Sequence, residues 1–239
     1  MIYITGDTHR RFGRIYNFCE KEKTTKNDIM IILGDAGINL YLLGMDDNLK
    51  AELNMMPLTL FCIHGNHEER PFNIPTYEEK EWHGGTVYVE PKYPNLIFAK
   101  DGEIYDFNGQ KYIVIGGAYS VDKYMRLMRG YPWFESEQPS DEIKKYVEQQ
   151  LDKAGWEIDG VFSHTTPKRY EPTWAFLDGI DQSRVDKSTE MWLDDIEKKL
   201  KYKYWYAGHF HVDSQEGPIK IMFNKIEKLG DDQDIISHK

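Results

Sequence analysis

The chain has 239 residues, 40% hydrophobic and 14% aromatic, enough apolar material for a sizeable core and too much for a disordered polymer. A formal net charge of -10 excludes a protein whose main task is to coat nucleic acid, which needs a basic face. It leaves open an enzyme acting on a phosphorylated small molecule, because bound metal ions reverse charge locally. No apolar run approaches the ~20 residues that span a bilayer, and Ile2-Tyr3-Ile4 opens the chain without a charged leader or cleavage signal, so a cytoplasmic setting is expected.

In chain order, Met1 to Thr5 reads as a strand and Phe12 to Lys23 as a helix. Ile29 to Leu33 is a continuous β-rich run, the pattern of a strand buried on both faces. A helix is predicted over Leu40 to Met55, stopped by Pro57, and a further buried strand over Leu58 to Ile63. That βαβαβ order predicts a parallel sheet covered by helices. From Gly84 the texture changes. Thr86–Val89, Leu96–Ala99, Glu103–Phe107 and Tyr112–Ile115 are short strands between turn residues, with Asn108-Gly109 as the hairpin signal between the last two; close spacing predicts antiparallel sheet. Ser120 to Pro139 has no clear period but is rich in Tyr, Trp, Arg and Met, and reads as a long loop whose Tyr124, Tyr131, Trp133 and Phe134 serve either as a lid or stacking wall for a nucleobase or as packing over the sheet edge.

Asp141 to Leu151 reads as a helix with Ser140 as its N-cap. Val161-Phe162, Tyr202 to Tyr206 and Ile219 to Phe223 read as later strands, with a helix from Ser188 to Leu200 between the first two. One domain is expected over residues 1–227, followed by a polar tail, 228–239. Cys19 and Cys62 are expected as buried free thiols, and Trp156, Trp174, Trp192 and Trp205 as core residues.

The polar residues of interest fall just after predicted strand ends. Asp7 and His9 follow the first strand, Gly34-Asp35 the second and Gly65-Asn66-His67-Glu68 the third. His164 follows Val161-Phe162, and Gly208-His209-Phe210-His211 follows Tyr202 to Tyr206. In open α/β sheets that edge is where ligands bind. Carboxylate, amide oxygen and imidazole together suit a borderline divalent cation such as Mn, Fe, Zn, Co or Ni, and the absence of cysteine argues against a structural zinc site. Glycine before Asp35, Asn66 and His209 fits tight turns. His83 and His238 lie outside these motifs and are expected on the surface or in structural roles; His64 is expected to pack in the core or support the site.

D-x-H, G-D, G-N-H-E, a lone His and G-H-x-H in this order, from Asp7 to His211, resemble the calcineurin-like metallophosphoesterase superfamily. Gly116 to Tyr124 and Gly179 to Ser183 look like a bacterial and phage subgroup of it. The resemblance implies an α/β fold, a four-layer αββα sandwich with two central mixed sheets. It implies two divalent metal ions, manganese first among the candidates, with Asp7, His9 and His211 on one ion, Asn66, His164 and His209 on the other, and Asp35 bridging. It further implies a phosphoester hydrolase whose nucleophile is a hydroxide between the metals, with His67 hydrogen-bonding substrate and protonating the leaving oxygen. Arg10, Arg70, Arg126 and Lys123 are candidate phosphate contacts. Gly34 to Asn39 departs from the protein-phosphatase pattern: Ile38 stands where an aspartate orients the catalytic histidine, which leaves Asn39 or Glu68 to substitute. The implied partner is a phosphorylated small molecule or nucleotide-like substrate, monoester or diester. A protein serine/threonine phosphatase and a non-catalytic metal-binding scaffold are the alternatives.

Overall fold

The structure, a computed structural model, describes residues 1–230. The first half of the chain alternates β1 (Ile2–Thr5), α1 (Gly13–Glu22), β2 (Ile29–Ile32), α2 (Asp47–Met55) and β3 (Thr59–Cys62). A meander follows, β4 (Glu78–Trp82), β5 (Gly85–Val89) and β6 (Leu96–Ala99), then the hairpin β7 (Ile104–Phe107) and β8 (Gln110–Ile115). Next come α3 (Lys123–Arg129), α4 (Asp141–Lys153), β9 (Gly160–Ser163), α5 (Ser188–Glu197) and β10 (Tyr204–Ala207). Three short strands close the fold: β11 (Ser214–Glu216), β12 (Ile219–Ile221) and β13 (Ile226–Lys228).

Seven strands form one sheet in the order β13-β1-β2-β3-β6-β5-β4, and six form the other, β11-β12-β10-β9-β8-β7. In each sheet the central strands are parallel and the edges antiparallel. Both sheets are therefore mixed, and the antiparallel texture expected after Gly84 holds only for the hairpins. β8, β9, β10 and β12 are mutually parallel: helices α4 and α5 carry the chain back between the first three, and β11 carries it back from β10 to β12.

The period-two side-chain alternation of strands sorts the apolar runs into layers. Ile29, Ile31, Phe61 and Ile63 point between the sheets, where they meet Tyr112, Val114, Phe162 and Tyr206. Met30, Ile32, Leu60 and Cys62 face outward onto Phe12, Ile15 and Cys19 of the first helical segment and Leu53 of α2. Ile113, Ile115, Val161 and Trp205 face outward onto Val147 and Leu151 of α4 and Leu193 and Ile196 of α5. These are the four layers of the expected αββα sandwich.

Several boundaries differ from the sequence reading. α2 starts at Asp47, not Leu40, because Leu42, Leu43 and Gly44 all take positive φ (58°, 49° and 81°). Asp46 fastens that turn by accepting from Tyr41 N and Leu42 N at 2.8 and 2.9 Å. β4, Glu-Glu-Lys-Glu-Trp, lacks apolar alternation because it is a charged edge strand. The aperiodic stretch after Ser120 contains α3, none of whose side chains is buried. At Asn108-Gly109 both φ are positive, 57° and 80°, as the expected hairpin turn requires, and Ser140 Oγ accepts from Ile143 N, as a cap does. Trp205 is fully buried, but Trp174 is 66% exposed and donates to Glu216, so it is not core. Lys228 closes β13 and Leu229 N donates to Ile2 O at 2.9 Å, so strand pairing runs one residue beyond the expected boundary at 227; the rest of the expected tail, 231–239 and His238 with it, lies outside the described residues. Cys19 and Cys62 are buried and free.

Candidate metal centre

Parallel strands of both sheets end at one seam, and five of those ends supply the polar cluster: β1 leads into Asp7 and His9, β2 into Asp35, β3 into Asn66 and His67, β9 into His164, and β10 into His209 and His211. Backbone bonds knit the loops together, His9 N to Asp35 O at 2.8 Å and Gly208 N to His164 O at 2.9 Å. His9, Asp35, His209 and His211 all have positive φ, between 44° and 69°, a conformation that costs free energy in non-glycine residues and collects at functional sites. Two glycines make the close approach possible. A Cβ on Gly65 would lie 2.0 Å from Asp35 Oδ1, and one on Gly34 (φ +97°) would lie 2.0 Å from His164 Nδ1. Gly34 thus has the turn geometry expected of it, whereas Gly65 is small because the Asp35 carboxylate and backbone pass against it.

Two groups of donor atoms converge, Asp7 with His9 and His211, and Asp7 with Asp35 and His164; in each, one atom per residue lies within 4.8 Å of the others. His9 Nε2 and His211 Nε2 are 2.7 Å apart, and Asp7 Oδ2 is 3.3 Å from His211 Nε2 and 3.6 Å from His9 Nε2. Asp7 Oδ1 accepts from His209 N, while Oδ2 is buried without a hydrogen-bond partner. Asp35 Oδ2 lies 3.8 Å from both His9 Nδ1 and His164 Nε2, between the two groups.

Proton positions show what this cluster is short of. His164 Nδ1 faces Leu33 O at 2.8 Å, so the neutral ring carries its proton there and turns a lone pair outward from Nε2. Asn66 Nδ2 donates to Ser120 Oγ at 2.9 Å, which fixes the amide so that Oδ1 faces His164 Nε2 at 2.8 Å and His209 Nδ1 at 3.1 Å. Lone pairs on His164 Nε2, Asn66 Oδ1 and Asp35 Oδ2 therefore face one another. That arrangement is repulsive unless a cation sits among them, and the mixed N/O donor set suits a borderline divalent ion. Burial, reinforced by neighbouring His164, pushes the His209 imidazole down to about 3, so it is neutral and able to ligate. Burial pushes the Asp35 carboxyl upward, but the surrounding histidines outweigh it and the net shift is down.

His67 sits at the mouth. Its backbone N–H donates to Asp35 Oδ1 at 2.8 Å and its Nε2 lies 3.9 Å from Asp35 Oδ2. Arg126 Nη2 approaches the same Nε2 at 3.5 Å, held by Asp122 at 2.8 Å; since a guanidinium only donates, Nε2 accepts. Neither expected substitute for the missing carboxylate reaches the ring. Asn39 Oδ1 accepts from Tyr77 OH. Glu68 is fully buried under the loop, accepting from Ala36 N, and burial next to Asp35 pushes it up to about 8. Ile38 is fully buried in the outer core of the first sheet.

The other expected phosphate contacts are placed elsewhere. Arg10 turns away to Asp46 at 2.6 Å, donates to Gly37 O and lies over the Tyr41 ring. Arg70 is 2% exposed and spans Asp101 and Ser136 O, a buried brace rather than a ligand contact. Lys123 stacks on Trp133, 4.0 Å from its centroid. Sequence reasoning missed Arg11, which is exposed and lines the cavity that also holds Asp7, His9, His67, Arg126 and His211. Among the described residues its guanidinium has no ion pair or hydrogen bond. Side-by-side arginines after D-x-H are visible in the sequence, but which of them faces the cavity depends on the left-handed backbone at Arg10 (φ 66°). His64 is buried with neither ring nitrogen partnered. His83 Nδ1 lies 2.8 Å from Asp106 O; a carbonyl only accepts, so His83 donates.

Two facing mixed sheets flanked by helices thus carry, at one seam, an Asp and His cluster that could hold metal ions. The family model for calcineurin-like phosphoesterases matches residues 1–213, and the chain belongs to that family. No curated protein matches it. Among solved structures, TT1561 of Thermus thermophilus is 11% identical, with 95% of this chain and 96% of that one covered and a TM-score of 0.47. Another is 12% identical over 92% of this chain and 88% of its own, with a TM-score of 0.49. Among the described residues no helix is long and apolar enough to cross a membrane.

Proposed function

We propose that the chain is a dinuclear phosphoester hydrolase acting on a phosphorylated small molecule or nucleotide-like substrate. The observation that carries this reading is the set of lone pairs on Asp35, Asn66 and His164 that face one another at the seam. Asp7, His9 and His211 would hold one ion and Asn66, His164 and His209 the other, with Asp35 shared. Two divalent cations held there would supply positive charge against the phosphoryl oxygens and make a water proton easier to lose near neutral pH.

The chain's own groups do the rest. Arg11 and Arg126, which share one cavity with the donor cluster, hold the non-bridging phosphoryl oxygens through charge-assisted hydrogen bonds. Substrate oxygen competes with His67 for Arg126; His67 Nε2, released from that contact, takes up a proton from solvent and passes it to the leaving oxygen. Asp122 fixes Arg126 and so sets the angle from which His67 is met. Ile38 in the core disfavours the protein-phosphatase alternative, because no carboxylate orients His67 there.

The test is metal analysis followed by a Mn²⁺-supplemented screen of aryl phosphate, bis-aryl phosphate, cyclic nucleotides and a phosphopeptide. Two metals per chain, and turnover that disappears in Asp35→Asn and His209→Ala, are expected. Unchanged turnover in both variants sinks the proposal. Two bound metals with no turnover of any ester would support the scaffold alternative instead.

A further inference from the structure

A second cavity, of about 350 Å³, shares Asp35, Asn66, His67, His209 and His211 with the donor cluster. It therefore opens on the reacting position, and its size falls within the ~300–1,000 Å³ of small-molecule sites. Its far walls have another chemistry. Phe176, Ile180, Val185, Phe210 and Val212 make them apolar, and the two phenyl rings lie nearly parallel, 6.2 Å apart at 18°. Two charged groups interrupt this surface, Lys187, which is already paired with Glu171 at 2.7 Å, and Glu190. Glu190 of α5 is 3% exposed; its Oε1 accepts from the Thr165 hydroxyl at 2.9 Å, and its Oε2 has no partner. A carboxyl left half-satisfied in an apolar wall is destabilising, and a ligand donor is what would complete it.

We propose that this cavity receives the alcohol side of the ester, that the group it takes is a planar ring carrying an N–H donor, and that Glu190 reads that donor. A nucleoside is the alcohol of this description. The inference rests on the phosphoesterase reading above for its orientation, since the phosphoryl group must lie at the donor cluster. Flat apolar walls accept the faces of a base, and the Glu190 oxygen fixes one edge. An alkyl alcohol would leave Oε2 unpaired, and a sugar would bury hydroxyls against Phe176 and Phe210.

The test is calorimetric titration of the metal-free full chain at pH 8 with adenosine, guanosine, cytidine, purine riboside and ribose. At least one of the first three is expected to bind at least tenfold more tightly than purine riboside, which keeps the ring but lacks the exocyclic amino donor; ribose is expected not to bind. Glu190→Leu should abolish that preference, and Phe176→Ala, at a less buried wall position, should weaken all ring ligands together. Failure of every nucleoside to saturate overturns the proposal, as does binding of purine riboside equal to that of the amino nucleosides, or a preference retained in Glu190→Leu. Wild-type turnover of 4-nitrophenyl phosphate with Mn²⁺ separates the two readings. Turnover without nucleoside binding overturns the cavity assignment alone, whereas nucleoside binding without turnover of any ester overturns the phosphoesterase reading and leaves standing only the recognition of a nucleoside by the cavity and Glu190.

Discussion

At the scale of single residues, the seam is built from side chains whose protons are committed elsewhere. His164 directs its proton to Leu33 O and Asn66 directs its amide hydrogens toward Ser120, so what they turn inward is lone pairs. Asp35→Asn removes the charge shared between the two groups; turnover is expected to fall by at least ~10²-fold, the scale of losing one electrostatic contact in a reacting site, with metal analysis showing fewer than two ions per chain. The two neighbouring arginines give a cleaner contrast. Arg11→Ala should raise KM by roughly tenfold or more, because a charged hydrogen bond contributes ~1.5–3 kcal/mol. Arg10→Ala should leave KM within about twofold and instead loosen the turn that Asp46 holds, read as a lower Tm. Equal effects of the two variants on KM would contradict the placement of Arg11 in the cavity.

The helix α5 illustrates how one element couples site and stability. It buries Leu193 and Ile196 against the second sheet, and that packing carries Glu190 inward as well. Burial pushes the Glu190 carboxyl up to about 7 from its ordinary 4.5. The folded state therefore binds a proton that the unfolded state has already released between about pH 4.5 and 7. Stability from this group is intact below the unfolded pKa and falls as pH rises toward 7, by about 3 kcal/mol in all. Glu190→Gln removes the titration, so in urea denaturation its stability relative to wild type should grow from pH 4.5 to pH 7 and level off above. A difference independent of pH would show that Glu190 is not buried as described. β9 makes the complementary point. Phe162 stacks on Tyr112 with centroids 4.5 Å apart in the core between the sheets, and Phe162→Ala should cost ~3–5 kcal/mol, again by urea denaturation. Since β9 also delivers His164, loss of metal affinity should accompany that loss of stability.

For the whole molecule, the two sheets are held face to face by apolar packing, yet their strand ends meet through like-natured donor atoms. Cation binding should therefore stabilise the fold as a unit. At Mn²⁺ concentrations 100 times its dissociation constant, linkage gives about 2.7 kcal/mol per site, and differential scanning calorimetry should show a rise in Tm reversed by EDTA. Absence of a shift in Tm with any of Mn, Fe, Zn, Co or Ni would count against a metal site at the seam. The formal charge of -10 does not oppose an anionic substrate locally, since Arg11, Arg14 and Arg126 all line the cavity at the donor cluster.

Much of this architecture is legible in the residues alone. Runs such as Ile29 to Leu33 specify buried parallel strands, Asn108-Gly109 specifies its hairpin, and the order of D-x-H, G-D, G-N-H-E and G-H-x-H marks the seam, because local sterics and period-two alternation act over a few residues. Signals that depend on distant partners are not legible. β4 and the three-residue strands β11 and β13 exist only because a neighbouring strand offers its hydrogen bonds, and their own sequences carry no apolar period. Arg10 and Arg70 read as phosphate contacts until Asp46 and Asp101, far along the chain, claim them. The sequence by itself determined the donor types and the strand ends that carry them. Only the tertiary structure decided which atoms lack protons, which arginine faces the cavity, and that Glu190 stands in an apolar wall beside the centre, because each of these is set by contacts between residues that chain order keeps apart.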